Sequence, residues 1–288
     1  MPGVLIDDLD DPRVAIYRHL KATNQTRNAG QFVVEGEKLF DRLLASSFPL
    51  ASVLTTDRLA ARVEQRVPTG VSHYVLSEAK AGELVGFTFH QGVLACGVRR
   101  AWPSALSLAR RARSRMTIAV CPRIDNPENL GAILRIADVF GVDAVLIGGR
   151  CPDPLSRRVL RVSMGSALRI PVIAPNCLAD EVEKLRQELG FVAVATVIDP
   201  EAQSLDTFQR PDLLALFLGS EGHGLEPEWV EFCDKRVTIP MRPGAESLNV
   251  AVAAGIAFHS VMRDRDQIQI HESQPNLPTK GGLSPRND

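Results

Sequence analysis

The chain is poor in the features that mark several common classes. Its five cysteines, Cys96, Cys121, Cys151, Cys177 and Cys233, are odd in number and widely scattered. They form no C-x-x-C pair and have no histidine at metal-ligand spacing, so neither a disulfide framework nor a metal site is expected. A reducing compartment fits best. The longest apolar stretch, Leu248 to Met262, is interrupted by Asn249 and His259. It falls short of the roughly 20 residues that cross a bilayer, so no membrane partner is expected. Met1 to Asp11 carry four aspartates and no apolar core, which excludes a secretory or transit leader and leaves a soluble, cytoplasmic protein as the expectation. Net charge is nearly absent, at −1, where a nucleic-acid partner usually calls for a basic footprint.

What is present is ordinary globular material: 288 residues, 45% hydrophobic and 23% charged. That length is about twice a typical domain, so two compact units are expected. The near-neutral average hides an asymmetry. Residues 1–115 hold 16 Lys plus Arg against 11 Asp plus Glu, and the remaining residues hold 17 against 23, giving +5 and −6. Either a solvated basic face or a surface for a polyanion accounts for the first figure.

Residues 1–100 read as a small α/β unit. Two helical segments occupy 12 to 47, with Ala29-Gly30 turning the chain into Phe32-Val33-Val34. Short apolar runs at Ala51 to Leu54, Ser72 to Leu76 and Gly92 to Val98 fit further strands. Residues 101–115 end in Ala-Arg-Arg-Ala-Arg-Ser-Arg and form a basic linker, either a solvated tether or an RNA contact. Beyond it, over 116–265, apolar runs at Thr117 to Cys121, Ala144 to Ile147, Val172 to Ala174, Phe191 to Val197 and Leu213 to Leu218 alternate with helical stretches. That rhythm predicts a parallel sheet flanked by helices, whose ligands bind at the carboxyl ends of strands. The polar, aperiodic residues 266–288 read as a disordered tail.

Three strand-end loops carry unusual residue choices. The first, Asp125 to Arg135, holds Asn129, Gly131 and Arg135. An Asn here can cap a helix, and Gly131 permits close backbone approach, so a cap with a surface arginine is the bland alternative. The second is Leu218-Gly219-Ser220-Glu221-Gly222-His223-Gly224-Leu225. A turn explains its glycines but not Glu221, which reads as buried among them. The loop matches neither G-x-G-x-x-G nor G-x-x-x-x-G-K-[ST], and Ser220 lies outside any G-x-S-x-G elbow. His223 lacks an acidic or cysteine partner at useful spacing and is not expected to be catalytic. In the third, the strand ending Val237-Thr238-Ile239-Pro240-Met241 leads to a small-residue helix that should begin near Ser247, a candidate N-cap. Tight helix packing alone would also explain that Ala- and Gly-rich run.

In this order and at these strand ends, the loops resemble the three signature motifs of the SpoU family of RNA 2′-O-ribose methyltransferases. Asn129, Gly131 and Arg135 match its N-x-G-x-x-x-R pattern, Gly219 to Gly224 its G-S-E-G-x-G pattern, and Ile239-Pro240-Met241 with Ser247-Leu248-Asn249 its I-P-M and S-L-N patterns. No position departs, and the likeness covers about residues 115 to 265. Phe32-Val33-Val34-Glu35-Gly36 and His90-Gln91-Gly92-Val93 are similar to segments of the family's ribosomal-protein-like substrate-binding domain.

The resemblance implies a trefoil-knotted α/β domain, S-adenosylmethionine as cofactor and a homodimer in which the arginine-bearing loop approaches the partner's pocket. Thr196, Gly219, Glu221, Gly222, Ile239, Met241, Leu248 and Asn249 would contact the cofactor. Arg135, Asn129, Glu221, Ser247 and Asn249 would form the catalytic set. A guanidinium, with a pKa above about 12, makes a poor general base near neutrality, so a cation that holds phosphate and stabilises a developing alkoxide is the preferred role for Arg135. Ribosomal RNA is favoured over transfer RNA as substrate. The rivals are a non-catalytic RNA-binding protein of the same fold and a nicotinamide-dependent oxidoreductase. The second needs a glycine fingerprint that Cys121-Pro122-Arg123-Ile124-Asp125 does not supply.

Overall fold

The computed structural model describes residues 3–20, 25–111, 114–242, 244 and 246–272, the side chains of Gln25 and of 264–272 excepted. Alternating apolar runs in the first hundred residues form five strands: β1 (Val4–Leu5), β2 (Gln31–Glu35), β3 (Leu50–Thr56), β4 (Ser72–Leu76) and β5 (Val93–Val98). They pair in the order β1-β4-β3-β5-β2, parallel from β1 to β3 and antiparallel on both sides of β5. Helices α1 (Gln25–Asn28), α2 (Glu37–Leu44), α3 (Asp57–Glu64) and α4 (Glu78–Val85) connect them. The first expected helical segment is discontinuous. Asp11 caps a short 3-10 helix over Pro12–Tyr17, and Arg18 then turns extended, at φ −77° and ψ 134°.

The described part of the stretch 101–115 is packed rather than trailing. Its α5 (Ala105–Ala109) lies against α8 (Leu178–Leu189), where the Glu181 carboxylate accepts the Ala105 N–H at 2.9 Å and Arg110 pairs with Glu188. Charge complementarity thus recruits part of its basic character into the fold.

The second sheet contains β6 (Met116–Cys121), β7 (Ala144–Ile147), β8 (Val172–Ile173), β9 (Val192–Thr196), β10 (Gln203–Ser204), β11 (Leu213–Phe217) and β12 (Lys235–Thr238). All pairings are parallel, in the order β10-β12-β9-β11-β6-β7-β8. Every residue of β6 is buried, as a central strand covered on both faces requires. Each large apolar side chain enclosed in this way contributes about 1.5–3 kcal/mol.

Helices α6 (Pro127–Phe140), α7 (Arg157–Val162), α9 (Pro227–Phe232) and α10 (Val250–Glu272), together with α5 and α8, flank this sheet. Helix α6 shows why its sequence folds locally. Asn126 accepts the Glu128 N–H at 2.8 Å, Pro127 occupies the first turn where its missing N–H costs nothing, and Gly141 ends the helix at φ 74°. Gly131 has a packing reason: an added Cβ would stand 2.8 Å from the Val162 Cβ of α7. The close approach it permits is therefore helix on helix. Helix α10 runs to Glu272, past the boundary expected at 265, and the rest of the expected tail, 273–288, lies outside the described residues. No helix among the described residues is long and apolar enough to cross a membrane.

Candidate active site

Because all strands of the second sheet are parallel, the ends of β6, β9, β11 and β12 share one edge, and the three motif loops meet there. Their polar side chains close into a clasp. Glu221 receives an amide N–H on each oxygen: Asn129 Nδ2 donates to Oε2 at 2.7 Å and Asn249 Nδ2 to Oε1 at 2.7 Å. Asn249 Nδ2 also donates to Asn129 Oδ1 at 3.1 Å. One residue from each loop is thus fixed by the other two.

The clasp corrects two expectations. Glu221 is exposed rather than buried, held by hydrogen bonds in place of an apolar surround. The N-cap of α10 is Asn249, whose Oδ1 accepts the Ala251 N–H at 2.9 Å. Ser247 is exposed two residues earlier, so the helix starts at Val250. Asn249 serves both cap and clasp because its amide has an acceptor and a donor end, and each neighbour demands a different one.

Ion pairs tie the first two loops further. Arg123 bonds Asp125 at 2.8 Å and lies 3.7 Å from Glu226, which also meets Arg150 at 3.0 Å. The pairs made by Glu226 have no sequence signal, because its partners lie 103 and 76 residues away in the chain. Within the second loop, Ser220 and Gly224 exchange backbone hydrogen bonds at 2.7 and 2.9 Å. A Cβ on Gly219 would stand 2.2 Å from the Gly224 carbonyl carbon, so this glycine is required by the loop's own closure. Gly222 has nothing within 4 Å of where its Cβ would lie.

Beside the clasp lies an open cleft of about 500 Å³, bordered by Thr196, Glu221, Gly222, His223, Ser247 and Leu248. An adjoining apolar slot of about 80 Å³ is lined by Leu205, Val237, Ile239, Met241 and Leu248. Thr196 sits where the two meet and is fixed by donating to the Phe217 carbonyl at 2.7 Å. Val197 and Ile198 border both spaces and were not foreseen; the signal was apolar residues continuing past the strand end, with Ile198 62% exposed. His223 is exposed at the rim and forms no hydrogen bond among the described residues. Among those residues no group of three or more His, Cys, Asp or Glu converges as a metal site would need.

Arg135 stands apart. Six residues after Asn129 on one helix, it lies about 9 Å further along the axis and roughly 120° around it. It is exposed and makes no ion pair among the described residues. The fold brings Asn129, Glu221 and Asn249 together and leaves Arg135 on another face.

Residues 116–259 match the SpoU rRNA Methylase family. A tRNA/rRNA methyltransferase of Mycobacterium tuberculosis, itself uncharacterised, is 37% identical over 91% of this chain and 92% of its own. The 23S rRNA (guanosine(2553)-2′-O)-methyltransferase of Bacillus subtilis is 30% identical over 88% of this chain and 97% of its own. In fold the chain is similar to an AdoMet-bound rRNA methyltransferase from Sinorhizobium meliloti, with a TM-score of 0.76, 24% identity and coverage of 91% and 98% of the two chains. The family match and these relatives, on a parallel α/β sheet with three polar loops gathered at one edge, define a methyltransferase. The chain belongs to the SpoU RNA methyltransferase family.

Proposed function

We propose that this protein transfers the methyl group of S-adenosylmethionine to a ribose 2′-hydroxyl of ribosomal RNA, acting in the cytoplasm as a homodimer. The observation that carries the reading is the Asn129–Glu221–Asn249 clasp, which joins all three family motifs beside a cleft. Relatives named as 23S rRNA 2′-O-methyltransferases favour this substrate.

The residues present suit the cofactor. The slot formed by Leu205, Val237, Ile239, Met241 and Leu248 has the apolar character a flat adenine ring requires. No backbone hydrogen bond among the described residues engages the N–H of Ile239 or Met241, so both can serve the base edge. The wider cleft presents Glu221 and Ser247 to a polar, cationic ligand, and its size is usual for small-molecule sites. When bound, the cofactor supplies an electrophilic methyl group.

This chain's own residues would hold the acceptor oxygen in line with that methyl and manage the hydroxyl proton. Asn129, Glu221 and Asn249 keep the three loops in register, and Ser247 offers an exposed hydroxyl at the cleft. Arg135, as a fixed cation, holds the RNA phosphate and stabilises charge developing on the ribose oxygen, and the proton leaves to phosphate or water. Its distance from the clasp supports a site completed across a dimer. The same region exposes Val139 of α6 at 72%, and Val252 and Ile256 of α10 at 51% and 40%, an apolar face for a second copy. In this reading residues 1–100 bind substrate, 116–265 carry the chemistry, and the chain is threaded as a trefoil knot. Insertion of β11 between β9 and β6 supports the threading.

The test is transfer of radiolabelled methyl to total RNA from a strain lacking the protein, with wild type and Arg135→Ala. Label in a 2′-O-methylnucleoside of ribosomal RNA, from wild type only, is expected. Label in transfer RNA would move the substrate assignment, and failure to bind cofactor would sink the reading.

A further inference from the structure

A second basic feature lies away from the clasp, where the two sheets meet. Helix α7 carries Arg157 and Arg158 side by side, and they reach in opposite directions. Arg157 bonds Glu35 at the end of β2 at 2.7 Å and lies over the Phe87 ring at 4.4 Å. Arg158 pairs with Glu128, the neighbour of Asn129 in the first turn of α6. The helix therefore links the first sheet to the active-site loop.

Between α7 and the β2 side runs an open cleft of about 560 Å³ whose lining includes Arg27, Arg99, Arg157, Arg158 and Arg161 but, among the described residues, only two carboxylates, Glu35 and Asp153. Arg99 binds Asp153 at 3.0 Å, which leaves Arg27 and Arg161 exposed with no ion pair among the described residues. The Nε of Arg157 is buried and has no hydrogen-bond partner among those residues. Past the Arg99–Asp153 bridge, a second cleft of about 480 Å³ shares Arg27 and adds Arg100 and Trp102. A chain of net charge −1 thus concentrates cations along one continuous groove that ends beside α6.

We infer that this groove binds the phosphate backbone of the RNA, with Arg27 and Arg161 as its principal contacts and α7 leading the strand toward the methylation site. Guanidinium forks match phosphate oxygens, and cations that lack a carboxylate of their own are the ones free to release counterions on binding. The Arg157–Glu35 and Arg99–Asp153 pairs serve instead to fix the groove walls. The inference rests on the RNA substrate proposed above.

The test uses the full chain with Arg27→Ala/Arg161→Ala, and a fluorescein-labelled hairpin RNA followed by anisotropy between about 50 and 200 mM salt. The dissociation constant should rise about ten-fold, and the slope of log K against log salt should become shallower by about two. Arg27→Lys/Arg161→Lys should recover most of the affinity, and S-adenosylhomocysteine should raise the Tm of wild type and of both variants alike. On 23S rRNA, KM should rise and kcat hold. Unchanged affinity and slope in the alanine variant, or wild type that does not bind the hairpin, would overturn the groove. Wild type that binds in this way yet transfers no methyl group would remove the catalytic reading and leave the groove standing.

Discussion

Asn249 donates from Nδ2 to Glu221 Oε1 at 2.7 Å while its Oδ1 accepts the Ala251 N–H at 2.9 Å, so one amide caps α10 and locks the second motif loop. Asn249→Asp separates these tasks. The cap survives, because a carboxylate accepts as well, but the donor is lost and a like charge faces Glu221. Methyl transfer should fall about ten- to a hundred-fold, the scale of one or two hydrogen bonds to a charged group. Asn249→Ala should lose a further ~1 kcal/mol of stability with the cap. Calorimetry and turnover read the two effects separately, and full activity in Asn249→Asp would refute the clasp's role.

Two glycines of the second loop should respond differently. At Gly219 an added methyl meets backbone at 2.2 Å, whereas at Gly222 it meets nothing within 4 Å. Gly219→Ala is expected to lower the Tm by the equivalent of about 1–3 kcal/mol, the usual cost of overpacking. Gly222→Ala should leave the Tm in place and raise the KM for cofactor. Equal melting curves for the two variants would contradict the geometry.

Arg135 and Glu221 can be tested for action across a dimer. Arg135→Ala and Glu221→Ala should each be inactive alone. Mixed after subunit exchange, half of the dimers pair one of each, and each such dimer regains one intact site, so activity should return to about a quarter of wild type. No recovery in dimers shown to have exchanged would place Arg135 and the clasp in the same subunit's site.

The thiols should divide by burial. Burial pushes Cys96 and Cys233 up to about 12 and Cys151 to about 11, and drives Cys121 well above the ordinary thiol value. Cys177 is exposed. Only the thiolate attacks a disulfide reagent, so at mildly alkaline pH the native protein should show one fast-reacting group and the denatured chain all five. Loss of the fast phase in Cys177→Ser checks the assignment; a second fast thiol would contradict the burial.

Much of this protein was legible in order along the chain. The apolar runs that became β6, β7, β9 and β11 are continuous because those strands are buried on both faces, and burial leaves a signal that needs no partner to read. The motif residues Asn129, Glu221 and Asn249 were likewise recognisable, since their residue types and spacing are local facts. What they do to one another was not. Asn129 and Asn249 are 120 residues apart, and only the parallel strand order brings their loops to one edge. Ser247 is the cap that local pattern favours, because a serine before a helix suffices there; Asn249 holds that place because its amide oxygen caps Ala251 while its Nδ2 is fixed by Glu221 and Asn129, both distant in sequence. Glu221 read as buried because the glycines around it suggested enclosure, whereas hydrogen bonds from two other loops hold it in the open. The basic groove is the extreme case. Arg27, Arg99 and Arg161 are scattered through a nearly neutral chain, and pattern alone does not connect them, because charge acts through space and their proximity is set by the packing of α7 against β2.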